Sequence, residues 1–200
     1  MKDPFFFGYG SLVNRRTHSY ENAQPARLSG WRRAWRASPL RAVCYLTAVP
    51  VEGGEIDGLI ASVPGADWDA LDLRERAYVR VPLNGQTGNG QSGNGQSGNG
   101  RVAHQAGEVD LAVYAIEPGA HFDPTRENPV LLSYLDVVVQ GYLDVFGRRG
   151  VDHFFQTTDG WHAPIRNDRA DPIYPRAQVT SAEEKDLVDG WLKDLAAEVE

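Results

Sequence analysis

An α+β fold is predicted by how periodicity is distributed along the 200 residues. Short apolar runs separated by Gly, Pro and Asn fill the first half. Amphipathic helical stretches and Pro-rich irregular chain fill the second, and runs of strands followed by helices define the α+β class. The length suits one core that needs neither disulfides nor structural metal, so 1–200 reads as a single domain.

The first strand is Phe5–Phe7, three aromatics running into Gly8-Tyr9-Gly10-Ser11. Two glycines flanking a tyrosine allow a tight turn and a close backbone approach, which suits either a ligand loop or a plain turn. Further strands are expected over 26–36, 42–50 and 56–63. In "GWRRAWR", strand alternation puts Trp31, Arg33 and Trp35 on one face and Arg32, Ala34 and Arg36 on the other. The lone cysteine, Cys44, lies in the apolar run "AVCYLTAV" and reads as a small buried hydrophobe.

A helix is expected from near Asp67 through "GADWDALDLRERAY". Asp67 is its N-cap, Asp69 and Asp72 lie early, and Arg74 and Arg76 lie late, in accord with the helix dipole. Strands "AYVRVPL" and "VDLAVYAI" follow, separated by a repeated Asn-Gly-Gln unit over 84–100 that has no apolar side chain and reads as a flexible connector. The stretch "ENPVLLSYLDVVVQGYLDVFGRRG" forms a long amphipathic helix with Gly147 or Gly150 as its stop. Beyond it, "HFFQTTDGWHAPIRNDRADPIYPRAQ" runs irregularly over the surface; Tyr174 and Arg176 read as loop scaffold, with a pocket contribution as the alternative. Ser181 and Glu184 form a capping box for a last helix whose Leu187, Val188, Trp191, Leu192 and Leu195 face inward.

The formal net charge of -7 argues against nucleic-acid binding, which needs a basic surface. The longest apolar helical stretch carries Asp136, Gln140 and Asp144 and does not suit a membrane span. No export signal is evident, and a reducing, cytoplasmic setting is expected. The histidines lack metalloprotease spacing, Ser11 lacks the second glycine of a nucleophile elbow, and "GYGS" is too short for a dinucleotide or phosphate fingerprint. Neither metal nor cofactor is expected.

Glu75 stands out by helical geometry. Trp68, Leu71, Asp72 and Glu75 share one face, which Trp68 and Leu71 make the inward one, while Arg74 and Arg76 project elsewhere. A carboxylate so placed either has its pKa raised by desolvation, making a general base, or forms an ion pair that ties helix to strand. The residues alone leave both open.

Taken in order, "FGYGSL", "LSGWRRAWR" and the Leu71–Arg80 segment "LDLRERAYVR" resemble the γ-glutamylcyclotransferase superfamily, and are most similar to its ChaC-like branch. The resemblance covers roughly the first eighty residues. It implies a compact mixed-sheet barrel with flanking helices and a pocket beside the Tyr-Gly-Ser-Leu loop. It implies cyclisation of the γ-glutamyl group of glutathione or a related compound to 5-oxoproline, with Glu75 as acid/base. Backbone N–H groups of Tyr9, Gly10, Ser11 and Leu12 would then hold a carboxylate or oxyanion; Tyr78 would either contact substrate or pack beneath the pocket, and Arg33 or Arg36, as strand phase decides, would be a further carboxylate contact. The partner so implied is a small γ-glutamyl molecule. A non-catalytic binding protein of the same fold and a hydrolase using the same glutamate are the alternatives.

Overall fold

The computed structural model describes residues 2–39, 42–87, 100–117 and 119–200. Along the chain come β1 (Phe5–Gly8), β2 (Gln24–Arg36), β3 (Tyr45–Ser62), α1 (Asp69–Arg74), β4 (Val79–Thr87), β5 (Arg101–His104) and β6 (Leu111–Ala115). Then follow β7 (Val130–Leu131), α2 (Leu132–Gln156), β8 (Thr158–Asp159), β9 (Ile165–Arg166) and α3 (Ala182–Asp194). The main sheet runs β3-β1-β6-β4-β5-β2-β8, and a β2–β3 ladder joins the ends of its first six strands, so the pairing closes into a ring. β1 lies parallel to β6, β4 to β5 and β2 to β8, and the other ladders are antiparallel. The architecture is therefore α+β with a curled mixed sheet.

β1 is central, paired on its two edges by β3 and β6, and both of its faces are packed, which explains its unbroken aromatic sequence. Phe5 and Phe7 point into the main core, while Phe6 packs on the opposite face with Leu12, Leu71 and Tyr114. Leu71, fully buried there, fixes α1 against the sheet. Burial of Trp31, Arg33 and Trp35 fits the alternation expected of β2.

Several expected elements differ. The two strands expected over 42–50 and 56–63 are one, β3, because β2 pairs along nearly its whole length and absorbs the intervening Gly-Gly stretch at a bulge between Ser29 and Trp31. The first residues of the Asn-Gly-Gln repeat, Asn84 to Thr87, extend β4 and pair with β5, a strand its sequence does not announce. Backbone pairing does not require apolar side chains. The remainder of the repeat, 88–99, lies outside the described residues. Gly147 leaves helical geometry at φ 66°, yet helix resumes to Gln156 because Val151, Phe154 and Phe155 supply a further buried face.

α2 begins without a cap of its own, and Asp168 provides one from a distance. It accepts from the Ser133 amide at 2.8 Å, the Ser133 hydroxyl at 2.5 Å and the Ile173 amide at 2.9 Å. Farther along, Gly141 lets α2 touch the loop after β1: a Cβ there would lie 2.6 Å from the backbone nitrogen of Asn14. The buried Asn14 amide in turn donates to the Val137 carbonyl at 2.9 Å and to Gln140 at 3.0 Å.

Asp57 joins β3, β2 and α2, with Arg27 Nε and His153 Nδ1 each 2.7 Å from its carboxylate. Burial opposes its charge, but the hydrogen bonds from His153 and Arg27 prevail and hold its pKa down at about 2, against 3.8 ordinarily. A carboxyl whose pKa is lower folded than unfolded stabilises the fold above the unfolded value, and that contribution is lost as pH falls through the folded one. The urea midpoint should therefore drop between pH 3.8 and about 2, more steeply in wild type than in Asp57→Asn. Gly141→Ala should destabilise by about 1–3 kcal/mol in the same assay, against the roughly 1 kcal/mol that helix propensity alone would add.

Candidate functional site

The chain from Gly8 to Asn14 leaves β1 and folds into a tight turn, Val13 and Asn14 donating to the carbonyls of Gly10 and Ser11 at 2.9 and 3.1 Å. The turn comes close to α2. A Cβ on Gly10 would lie 2.7 Å from the Tyr134 hydroxyl, and the Ser11 backbone donates to that hydroxyl. The glycine is thus required by close approach. The turn faces a cleft of two lobes. The larger, about 570 Å³ counting its solvent-open mouth, is lined by Cys44, Tyr45, Arg74, Leu131, Tyr174 and Arg176 among others. The smaller, about 310 Å³ on the same basis, is lined by residues 7 to 12 together with Tyr114. Ser11, Leu46, Glu75, Tyr78 and Tyr134 line both and so mark their junction.

Glu75 reaches this junction by a route the helical-face argument did not describe. α1 ends at Arg74; Glu75 is its C-cap, outside helical geometry, and its carbonyl accepts from the Tyr78 amide at 2.8 Å. Arg74 does not project elsewhere. Its Nε lies 3.1 Å from the Glu75 carboxylate, while its other nitrogens donate to the Thr17 carbonyl at 2.9 Å and the Ser11 hydroxyl at 3.3 Å. Residues adjacent in sequence can face together here because the helix has stopped. Both side chains are largely buried, 8% and 16% exposed, so the pair is screened far less than a surface one.

Tyr9, Gly10, Ser11, Leu12 and Tyr78 all line the cleft. The Tyr9 hydroxyl donates to the Tyr114 carbonyl at 2.6 Å, and Tyr78 donates to the Leu46 carbonyl at 3.1 Å. Burial raises the Tyr9 hydroxyl, and the Glu75 charge raises it further. Tyr134 is raised strongly, first by burial and then by Tyr174, Tyr9 and Glu75. Both phenols are neutral donors near neutral pH. The Cys44 thiol is pushed up to about 12 by burial and is inert as a nucleophile.

Arg33 is the expectation that the geometry overturns. It is fully buried, and its guanidinium does not reach the cleft. It donates to the Tyr9 carbonyl at 3.2 Å, to the Thr157 hydroxyl at 2.6 Å, to the Tyr142 hydroxyl at 2.6 Å and to the Asp57 carbonyl. Tyr142 and Phe154 lie beneath it with their centroids 5.0 and 5.2 Å away. Strand phase turns this arginine inward, where it holds the loop from behind. Arg36, on the opposite phase, donates to the Trp35 carbonyl and lies 3.8 Å from Asp123.

Tyr174 and Arg176, read mainly as loop scaffold, line the larger lobe. Asp168 and the Arg169–Asp136 ion pair at 2.7 Å pin their segment to α2, and the Tyr174 ring meets Tyr134 edge-on at 5.0 Å. Tyr134 lines both lobes, although in sequence it reads as one more apolar position of a long helix. Among the described residues no group of three or more His, Cys, Asp or Glu is arranged to hold a metal ion, and no helix is long and apolar enough to cross a membrane.

No protein-family model matches the chain, and no curated protein matches it in sequence. Solved structures do match. A protein described as gamma-glutamyl cyclotransferase superposes with a TM-score of 0.55 at 15% identity, over 94% of this chain and 99% of its own. An uncharacterized protein from Homo sapiens gives 0.56 at 15% identity with the same coverage. YkqA from Bacillus subtilis gives 0.53 at 14% identity, over 80% of this chain and 57% of its own. The chain has the γ-glutamylcyclotransferase-like fold.

Replacing Arg33 by Met removes the guanidinium donors to the Tyr9 and Asp57 carbonyls and leaves the single proton of the Tyr142 hydroxyl to serve both. It should cost about 3 kcal/mol or more in urea unfolding, with Arg33→Lys recovering only part because one ammonium cannot match the planar fork.

Proposed function

We propose that the protein is a γ-glutamylcyclotransferase-like enzyme that converts the γ-glutamyl group of glutathione or a related compound to 5-oxoproline. The observation that carries this reading is Glu75 at the junction of the two lobes, beside the Gly10-Ser11 turn. The order of "GYGSL", "GWRR" and "RERAY", most similar to the ChaC-like branch, supports it, as does the fold.

In the proposed reaction Glu75 takes a proton from the substrate's α-ammonium. The freed amine attacks the γ-carbonyl carbon and the new C–N bond closes a five-membered ring; the old amide bond breaks as Glu75 returns its proton to the departing nitrogen, and the second proton lost by the ring nitrogen passes to the released amine, which leaves as an ammonium. No water is consumed. Ring closure is intramolecular, so the enzyme need only hold the amine near its own carbonyl and supply proton transfer. Backbone N–H groups at Gly10 and Leu12 would stabilise the oxyanion or hold the α-carboxylate, and the neutral Tyr134 hydroxyl, held by the Ser11 amide, would add a donor. The Arg74 guanidinium fixes the carboxylate in position.

Mass-spectrometric detection of 5-oxoproline after incubation with a panel of γ-glutamyl compounds tests the reading. Wild type should release 5-oxoproline, and Glu75→Gln should lose about 10²–10⁴-fold in kcat while retaining substrate affinity. Free glutamate in place of 5-oxoproline would mean hydrolysis, and normal turnover by the variant would exclude Glu75 as the base.

A further inference from the structure

We propose that Arg176 is a specificity residue of the larger lobe and selects leaving groups that carry a carboxylate, amino acids or peptides rather than simple amines. The inference rests on the reaction proposed above.

The two lobes differ in their walls. The smaller holds the Gly10-Ser11 turn that would take the γ-glutamyl part, and Glu75 stands where the lobes meet. The departing group must therefore extend into the larger lobe, whose lining includes Cys44, Tyr45, Tyr174 and Arg176. Among the described residues its charged lining is Arg74, Glu75 and Arg176. Arg74 and Glu75 pair with each other at 3.1 Å. Arg176 is half-buried, and its guanidinium makes no ion pair or hydrogen bond among the described residues. Cys44 is uncharged, since burial pushes its thiol up to about 12.

The backbone under Arg176 is held in place. The Ala177 amide donates to the Tyr174 carbonyl at 3.0 Å, the Gln178 side chain donates to the Arg176 carbonyl at 3.1 Å, and Asp168 anchors Ile173 just upstream. A guanidinium so presented matches a carboxylate by a two-pronged, charge-assisted contact. A simple amine is released as an ammonium ion and would be repelled by the same group. An amino acid or peptide offsets that repulsion with its own carboxylate.

The test compares γ-glutamylalanine with γ-glutamylalaninamide, which differ only in that carboxylate. Wild type should favour the acid by about tenfold or more in kcat/KM. Arg176→Gln should abolish the preference by raising KM for the acid, with kcat and the kinetics of the amide little changed, and Arg176→Lys should restore part of it. Equal turnover of both compounds by wild type, or equal slowing of both by Arg176→Gln, would overturn the proposal. Calorimetric titration of both compounds into wild type and Arg176→Gln separates the two readings. If neither compound yields 5-oxoproline but the acid binds more tightly in an Arg176-dependent way, the subsite stands and the reaction falls; equal or undetectable binding removes the subsite.

Discussion

The site depends on one buried cation. Arg33 lies within the core with its guanidinium spent on the carbonyls of Tyr9 and Asp57 and on the hydroxyls of Thr157 and Tyr142. These partners belong to the turn after β1, to β3, to the chain after α2 and to α2 itself. A buried charge is tolerated only where its donors are satisfied, so the elements cannot drift apart without leaving it unpaired. The Tyr142 hydroxyl lies 2.9 and 2.7 Å from the same two carbonyls and reinforces the junction. The Gly-Tyr-Gly-Ser turn is in this way held from behind by β2 and α2 while its front faces the cleft.

A second constraint acts from the other side. Phe6 and Leu71 bring α1 onto the outer face of β1, and the helix then stops at Arg74. Stopping there lets Arg74 reach back to Thr17 and Ser11 while pairing with Glu75. Sheet packing, helix termination and the ion pair thus converge on one carboxylate. The ion pair that its sequence left open is present, made with Arg74 of the same helix rather than with a strand. The carboxylate is both paired and in the cleft.

The wall facing the turn is built by α2 and the segment after β9. Asp168 caps α2 and orders Ile173, and the Arg169–Asp136 pair fastens the same stretch. Tyr174 and Arg176 arrive at the cleft by these tethers although their sequence has no regular periodicity. Such a segment can line a cleft in a defined way because a rigid scaffold positions it.

By itself the sequence determined the α+β class, most strand positions, the shared face of Trp31, Arg33 and Trp35, the Ser181–Glu184 capping box and the placement of Glu75 on the inward face of its helix. Each rests on local rules of alternation, helical spacing or capping that act within a few residues. Tertiary structure alone decided that 42–50 and 56–63 continue as one strand, that β5 pairs with β4, and that Arg33 serves the back of the loop rather than the cleft. It also decided that Arg74 and Glu75 face together and that Tyr134, Tyr174 and Arg176 share a wall with them. Those outcomes depend on partners tens of residues away in the chain, whose packing and buried hydrogen bonds override local preference.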